Sequence, residues 1–271
     1  MDLVGVTQIT VPRTRGDVVL SAGVRPLGGG SWLFSEQQPE VTGLVDLMAL
    51  GWEPVVETPD TLTIAATCLI RELTEIPLRP EWPAQELVRL CADSLLMSFK
   101  IWNMATVGGN VCTALPAGAM TSLLAGLDAV AVIWDAEGGE RRAAVAEFVT
   151  GVRTTAMGPE EFLRSIEIPV KSLEARVAFR RIALSNLGRS GTLVIGRQDA
   201  DGAVVVTVTA STPAPVQLRF DGVPTAAELA HALDGIDVWY DDPHGAPDWR
   251  EAVSRLYAEQ IRVELSAGGA A

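Results

Sequence analysis

Two glycine clusters constrain this chain more than any other feature of its sequence. The first is PLGGGSWL at residues 26–33, and the second is TVGGN at residues 106–110, followed closely by the small-residue run CTALPAGAM. Glycine raises the entropic cost of ordering the backbone, so such clusters mark places where the backbone turns tightly or lies close to another group. At both clusters we therefore expect either a tight turn or another strand or a ligand close to the backbone.

The glycine clusters suggest an anion-binding site. PLGGGSWL offers consecutive backbone N–H groups without large side chains in the way, which can form a concave nest for phosphate. A tight turn explains this segment as well, and TVGGN has the composition to serve the same site from a second loop. PLGGGSWL fits neither GxGxxG nor GxxxxGK[ST], so neither a Rossmann unit nor a P-loop is indicated.

The chain has little that could act as a catalytic acid, base or nucleophile. His231 and His244 are its only histidines, and neither lies in a nucleophile motif such as GxSxG. The loop around Asp241, Asp242 and His244 is a weak metal-site candidate. The chemistry is therefore expected to belong to a bound cofactor containing a pyrophosphate, which the protein binds and orients.

Composition and charge narrow the class of protein. The 271-residue chain has a formal net charge of −13 and no cluster of Lys and Arg, which argues against nucleic acid and anionic membrane surfaces as partners. The longest apolar stretch, Leu123–Trp134, is too short to span a membrane, and no signal peptide is evident, so a cytoplasmic protein is expected. The widely spaced Cys68, Cys91 and Cys112 are predicted to be core thiols.

Hydrophobic periodicity divides the chain into three consecutive pieces, residues 1–55, 56–170 and 171–271. The first is expected to be a small βαβ-type unit, in which VRPLGGGSWLF leads from a strand into a turn and then a short helix. The third is expected to begin with an antiparallel pair formed by residues 176–184 and 200–211 across the Asp201–Gly202 turn. Other predicted strands are Val4–Val11, Val41–Asp46, 61–70, Ala129–Trp134 and 160–170, and the predicted helices are Ala84–Phe99, Ala117–Leu127, Ala226–Leu233 and Asp248–Leu265.

Taken together, the two clusters resemble those of a known family, the FAD-binding medium subunits of molybdenum hydroxylases such as carbon monoxide dehydrogenase and xanthine dehydrogenase. That family carries a loop of the type AGGTxL, which LGGGSWL matches at Gly28, Gly29, Ser31 and Leu33. A segment like IRNxATIGGN, a run such as A-x-P-A-S-D and a helix ending in LDA correspond to IWNMATVGGN, ALPAGAM and LLAGLDA. Later segments, including FRRIALSNLGRSG and DWREAVSRLYAEQI, extend the resemblance over nearly the whole chain.

The resemblance implies an α+β fold. Two subdomains of the vanillyl-alcohol-oxidase/PCMH type would bind FAD between them, and a small α+β C-terminal domain would follow. The FAD pyrophosphate would be held by backbone N–H groups of both clusters rather than by Lys or Arg. Leu163 would pack near the flavin, and Arg180 would supply a basic group close to it. The implied cofactor-binding residues are Pro26, Leu27, Gly28, Gly29, Gly30, Ser31, Trp32, Leu33, Thr106, Val107, Gly108, Gly109, Asn110, Leu163 and Arg180.

The resemblance also implies partner subunits. A large subunit would carry the molybdopterin cofactor, a small subunit would carry two [2Fe–2S] clusters, and the assembly would be a dimer of heterotrimers. Electrons would pass from the clusters to FAD in this chain and then to an external acceptor, which the sequence does not identify. No residue of this chain is then assigned a catalytic acid–base role.

Two positions depart from the family pattern. Ala119 stands where the family usually has aspartate, and Trp102 stands where it usually has arginine before Asn103. Losing one hydrogen bond to a charged group, worth roughly 1.5–3 kcal/mol, would weaken FAD binding by about one to two decades. Two alternatives therefore stay open: a scaffold subunit that has lost FAD, and a free-standing flavin oxidoreductase.

Overall fold

The computed structural model describes residues 3–95, 99–186 and 188–267. It is a mixed helix and sheet structure, which confirms the predicted fold class. Its strands are β1 Gln8–Thr10, β2 Val24–Leu27, β3 Gly43–Asp46, β4 Val55–Glu57, β5 Thr61–Ala65, β6 Val130–Asp135, β7 Glu140–Ala144, β8 Val149–Gly151, β9 Thr154–Thr155, β10 Glu161–Pro169, β11 Arg176–Ala183, β12 Ser190–Gln198, β13 Val204–Thr209 and β14 Val216–Phe220. Its helices are α1 Ile70–Thr74, α2 Glu86–Ser94, α3 Phe99–Trp102, α4 Val107–Thr113, α5 Ala119–Gly126, α6 Val145–Phe148, α7 Val170–Leu173, α8 Ala226–Asp234 and α9 Pro247–Ala267.

The first sheet is small and parallel. Its strand order is β1-β3-β2, and both outer strands run parallel to β3. The strands pair in parallel, as in a βαβ-type unit, but among the described residues no α-helix lies between them. The predicted short helix after the first glycine cluster is wrong, because residues 31–35 form turns. One such turn is closed by the N–H of Phe34, which donates to the carbonyl of Gly30 at 3.0 Å.

The second sheet is antiparallel, in the order β4-β5-β10-β6-β7. Helices α2, α4 and α5 pack with it around one buried core, which also takes in Leu193 and Ile195 of the third sheet. Every residue of α5 is buried, because this helix is covered on several sides, by α2 and α4 and by β12 and β13. The predicted Ala84–Phe99 helix ends earlier, at Ser94, and residues 96–98 lie outside the described part of the chain.

The third sheet is antiparallel, in the order β11-β12-β13-β14, and α8 and α9 cover it. The predicted pairing of residues 176–184 with 200–211 is wrong, because β12 lies between β11 and β13 and pairs with both. The turn at Asp201–Gly202 instead joins β12 to β13. One core joins the second and third sheets across the predicted boundary at residue 170. The domain boundaries at residues 55 and 170 both stay predictions.

Within the described ranges, no helix is long and apolar enough to cross a membrane.

Candidate functional site

A cleft of about 680 Å³ lies where the two glycine clusters meet. This volume falls in the usual range for sites that bind small molecules or cofactors. All of residues 26–33 line the cleft, and the second cluster contributes Thr106, Gly109 and Asn110. The structure therefore brings together most of the residues that the sequence assigned to a cofactor.

The first glycine cluster begins in the last two residues of β2, and its backbone N–H groups beyond the strand are available. Gly30 has a φ of 68°, in the left-handed region that glycine adopts without strain. Among the residues that the structure describes, none accepts a hydrogen bond from the N–H groups of residues 28–33. Such unpaired donors beside a cleft are what an anion-binding nest requires.

The second glycine cluster is the start of a helix and not an open loop. Thr106 caps α4, and its Oγ1 accepts a hydrogen bond from the N–H of Gly109 at 3.0 Å. The N–H groups of Val107, Gly108 and Asn110 donate to the carbonyls of Cys68, Ala66 and Thr106 at 2.8, 3.0 and 3.0 Å. The expectation that both clusters offer free N–H groups is thus wrong for the second, whose donors are used within the protein.

The glycines of both clusters allow close packing around the cleft. A Cβ on Gly29 would overlap the carbonyl of Met104, and one on Gly28 would lie 2.7 Å from Thr106 Oγ1. A Cβ on Gly108 would lie 2.5 Å from that of Ala66. These residues lack side chains because the first cluster packs directly on residues 104–106, and α4 packs on the segment after β5.

Asn110 ties two helices together at the cleft wall. Its Oδ1 accepts a hydrogen bond from the N–H of Met120 at 2.9 Å, in the first turn of α5. Because Asn110 lies on α4, this bond fixes the beginning of α5 relative to the second cluster. The residues between the helices, including Leu115, Ala117 and Gly118, form the adjoining part of the lining.

Four of the residues assigned to the cofactor lie outside the lining. Val107 and Gly108 are fully or almost fully buried behind it. Leu163 is buried on β10 in the core beneath α4. Arg180 points instead to α9, where its guanidinium donates to Gln260 at 3.1 Å and to Glu264 at 2.7 Å. These long-range contacts direct the Arg180 side chain away from the cleft.

The two departures from the family pattern occupy different environments. Ala119 is fully buried in the first turn of α5 and is not among the cleft residues. Trp102 packs against the main core, with the guanidinium carbon of Arg89 5.0 Å from its ring. Its Nε1 is buried without a hydrogen-bond partner in the described residues. Neither residue adds a charged group to the site.

The lining contains arginines that the sequence interpretation did not identify. Arg25, Arg153 and Arg189 line the cleft, and among the described residues Glu40 is the one acidic residue of the lining. The cleft is thus locally positive in a chain whose formal net charge is −13. No spacing in the sequence connects these arginines, because they come from β2, the β8–β9 turn and the loop before β12.

The three cysteines, all within the described residues, show no feature of a reactive or metal-binding site. Cys68 and Cys91 are buried, as expected, but Cys112 is partly buried and lines the cleft. Burial raises the pKa of Cys112 to about 12, so its thiol is protonated at neutral pH. In the described part of the chain, no three His, Cys, Asp or Glu residues form a possible metal site.

The loop around His244 is held by a buried arginine. The guanidinium of Arg250 donates to the carbonyl of Gly245 at 2.8 Å and to that of Gly191 at 2.7 Å, and it pairs with Asp242. The backbone N–H of His244 also donates to Asp242, at 2.8 Å. These contacts account for the loop as part of the fold.

Comparisons with known proteins identify curated relatives of this chain. The chain is 34% identical over 84 residues to caffeine dehydrogenase subunit beta of Pseudomonas sp. (strain CBB1), a match that covers 31% of this chain and 28% of that protein. It covers a smaller share of the other curated relatives that it matches.

Solved structures share the fold over almost the full chain. Quinoline 2-oxidoreductase from Pseudomonas putida 86 gives a TM-score of 0.80 at 19% identity, with 99% of each chain covered. Reconstituted CO dehydrogenase from Oligotropha carboxidovorans gives a TM-score of 0.81 at 21% identity, with 98% of this chain and 99% of that chain covered. At these identities the likeness concerns the fold.

The family match covers more than half of the chain. Residues 17–171 match the family described as the FAD binding domain in molybdopterin dehydrogenase. This range includes both glycine clusters and the helices that bound the cleft, so the resemblance found in the sequence is confirmed. The chain belongs to this family of FAD-binding domains.

Proposed function

We propose that the chain binds FAD in the cleft and serves as the electron-transfer subunit of a cytoplasmic, heteromeric molybdenum hydroxylase. Electrons would arrive from [2Fe–2S] clusters in a small partner subunit, after substrate oxidation at the molybdopterin cofactor of a large one. They would leave for an external acceptor. The observation that carries the proposal is the cleft at the first glycine cluster, in a chain of an FAD-binding family.

The residues present fit a cofactor with a pyrophosphate. The N–H groups of residues 28–33 have no acceptor among the described residues, and three arginines line the same cleft. Unpaired donors and positive charge both stabilise phosphate oxygens. When bound, FAD supplies the redox chemistry, while the protein binds and orients it.

The burial of Ala119 favours a chain that still binds FAD over a scaffold that has lost it. This residue lies outside the lining, so the departure from the family pattern removes no group from the cleft as it stands. The packing of Gly28 and Gly29 on residues 104–106 likewise preserves the site.

Flavin retention by the purified full-length chain tests this proposal. After incubation with FAD and removal of free ligand, the chain should show the visible absorption of bound flavin. Ala117→Trp, which fills the cleft from its wall, should abolish that absorption, whereas Ala227→Trp on the exposed face of α8 should not. A colourless wild-type chain would favour the scaffold alternative.

Co-purification tests the heteromeric assembly. A tagged chain isolated from its native cells should bring down one chain containing molybdenum and another containing iron. Isolation of the tagged chain with flavin but without either metal would instead support a free-standing flavoprotein.

A further inference from the structure

We propose that Arg153 binds the pyrophosphate of the cofactor directly, an inference that rests on the proposed function. Arg153 lies in the turn of the β8–β9 hairpin and lines the cleft. The sequence resemblance implies that backbone N–H groups of both glycine clusters hold the FAD pyrophosphate. The donors of the second cluster are already used, so a side-chain cation at this wall of the cleft would add the charge compensation that the second cluster does not provide.

The backbone at Arg153 is strained and firmly held. Its φ of 57° lies in the left-handed region, which glycine adopts easily and other residues adopt at a cost. Its N–H donates to the carbonyl of Ala114 at 2.8 Å, where α4 ends. The hairpin turn is therefore fixed to the helices of the second cluster. Residues kept in such conformations concentrate at binding and active sites.

The side chain of Arg153 has only weak partners within the protein. Its NH1 lies 4.0 Å from a carboxylate oxygen of Glu36, and both side chains are about half exposed, at 53% and 52%. Its guanidinium carbon lies 5.7 Å from the centre of the Trp32 ring, close to the outer limit for a cation–π contact. Exposed pairs of this kind contribute little to stability, so they do not explain an arginine in a position that glycine would fill without strain.

The direction of the side chain fits a bound anion. The backbone of Arg153 is attached on the α4 side, while its guanidinium reaches Trp32 in the first glycine cluster. It thus spans the cleft beside the unpaired N–H groups of residues 28–33. The planar guanidinium can donate two parallel hydrogen bonds to phosphate oxygens, which the N–H groups would complement.

Titration of the full chain with FAD tests the role of Arg153. Arg153→Gly removes the guanidinium and also relieves the backbone strain, so the Kd for FAD should rise roughly 10- to 100-fold while the Tm does not fall. Arg153→Lys should recover part of the affinity through its charge. Arg71→Ala removes the same charge from an exposed pair with Glu75 outside the cleft lining and should leave the Kd unchanged.

Riboflavin, which has no phosphate, separates phosphate binding from other roles. Its affinity should be equal in the wild-type chain and in Arg153→Gly. An unchanged Kd for FAD in this variant would overturn the proposal, and so would an equal loss for riboflavin or a loss accompanied by a lower Tm. If the wild-type chain bound no FAD, the proposed function would fail together with this inference. If only the variant result failed, the proposed function would stand.

Discussion

At the scale of single residues, the glycine clusters have two different uses. Gly30 adopts a left-handed conformation in the turn beside the cleft, whereas Gly28, Gly29 and Gly108 allow close packing of backbone segments. Both uses explain the absence of side chains, and Gly28 and Gly29 combine close packing with N–H groups that have no acceptor among the described residues. The unpaired N–H groups of residues 28–33 therefore make the first cluster the stronger candidate for phosphate binding.

The packing at Gly29 predicts a large effect of adding one methyl group. Gly29→Ala would place Cβ on the carbonyl of Met104, so the backbone must shift, and we expect a loss of about 3 kcal/mol in the free energy of unfolding. Gly222→Ala is the matched control, because nothing lies within 4 Å of the added Cβ. Urea unfolding of both variants measures the difference. Equal stability would show that the two segments are not in direct contact.

At the scale of elements, the start of α4 connects the sequence motif to the cleft. Thr106 caps the helix and lines the cleft, and Asn110 links the same helix to the first turn of α5. The main role of the second cluster is therefore to position α4 and α5, and not to supply N–H donors to a ligand. The hydrogen bonds that its backbone N–H groups make within the protein hold this wall in place.

Thr106 and Thr225 cap α4 and α8 in the same way, so substituting each one distinguishes an effect on stability from an effect on FAD binding. Thr106→Ala and Thr225→Ala each remove a hydroxyl that accepts a backbone N–H, and each should lower the free energy of unfolding by about 1 kcal/mol. Only Thr106→Ala should also weaken FAD binding, because Thr225 caps α8 outside the cleft lining. Thr106→Ser should retain both properties. A similar loss of FAD affinity in both alanine variants would contradict a specific role for the α4 cap.

The strand that sequence analysis missed shows how tertiary packing can hide a local signal. β12 contains Gly191 and Gly196, which interrupt its run of apolar residues. A Cβ on Gly196 would overlap Ile261 of α9, and one on Gly191 would lie 2.8 Å from the Trp249 ring. Glycine is needed there because α9 and the residues before it lie close to the strand. The strands and helices without such long-range demands, such as α8, follow their sequence patterns closely.

At the scale of the whole molecule, a partly buried ionic network around Arg197 joins the end of α5 to the third sheet. Asp128 lies between α5 and β6, and its carboxylate pairs with Arg197 of β12 at 2.5 Å and with Arg219 of β14 at 2.6 Å. Arg197 also donates to the carbonyl of Gly126 at 3.0 Å and pairs with Asp199 at 2.7 Å. This network holds the sheet that carries the arginine-bearing loop before β12 against the helices of the cleft.

The network predicts a dependence of stability on pH. Burial alone would raise the pKa of Asp128, but hydrogen bonds from Arg219 and Arg197 outweigh it and lower the pKa to about 2, against an ordinary value of 3.8. Because the folded-state pKa is lowered, the stabilisation is complete above about pH 4 and is lost as the pH falls toward about 2.

Asp128→Asn should remove this pH-dependent contribution, which we expect to be about 1–2 kcal/mol after allowing for solvent screening. Unfolding measured from pH 7 down to pH 2 should show the wild-type advantage shrinking over the acidic part of the range. Asp93→Asn, in an exposed pair with Arg89, serves as the control. A difference between wild type and Asp128→Asn that stays constant down to pH 2 would contradict the assignment.

The sequence by itself determined the family, the cofactor class and the mixed fold, because glycine clusters, helix signals and β-branched runs express local backbone requirements. Only the tertiary structure decided which N–H groups remain free and which side chains surround the cleft. It placed Arg153 there, and it directed Arg180 to α9 and Leu163 into the core. The physical reason is that hydrogen-bond partners and side-chain directions depend on segments far apart in the chain, which local patterns do not encode.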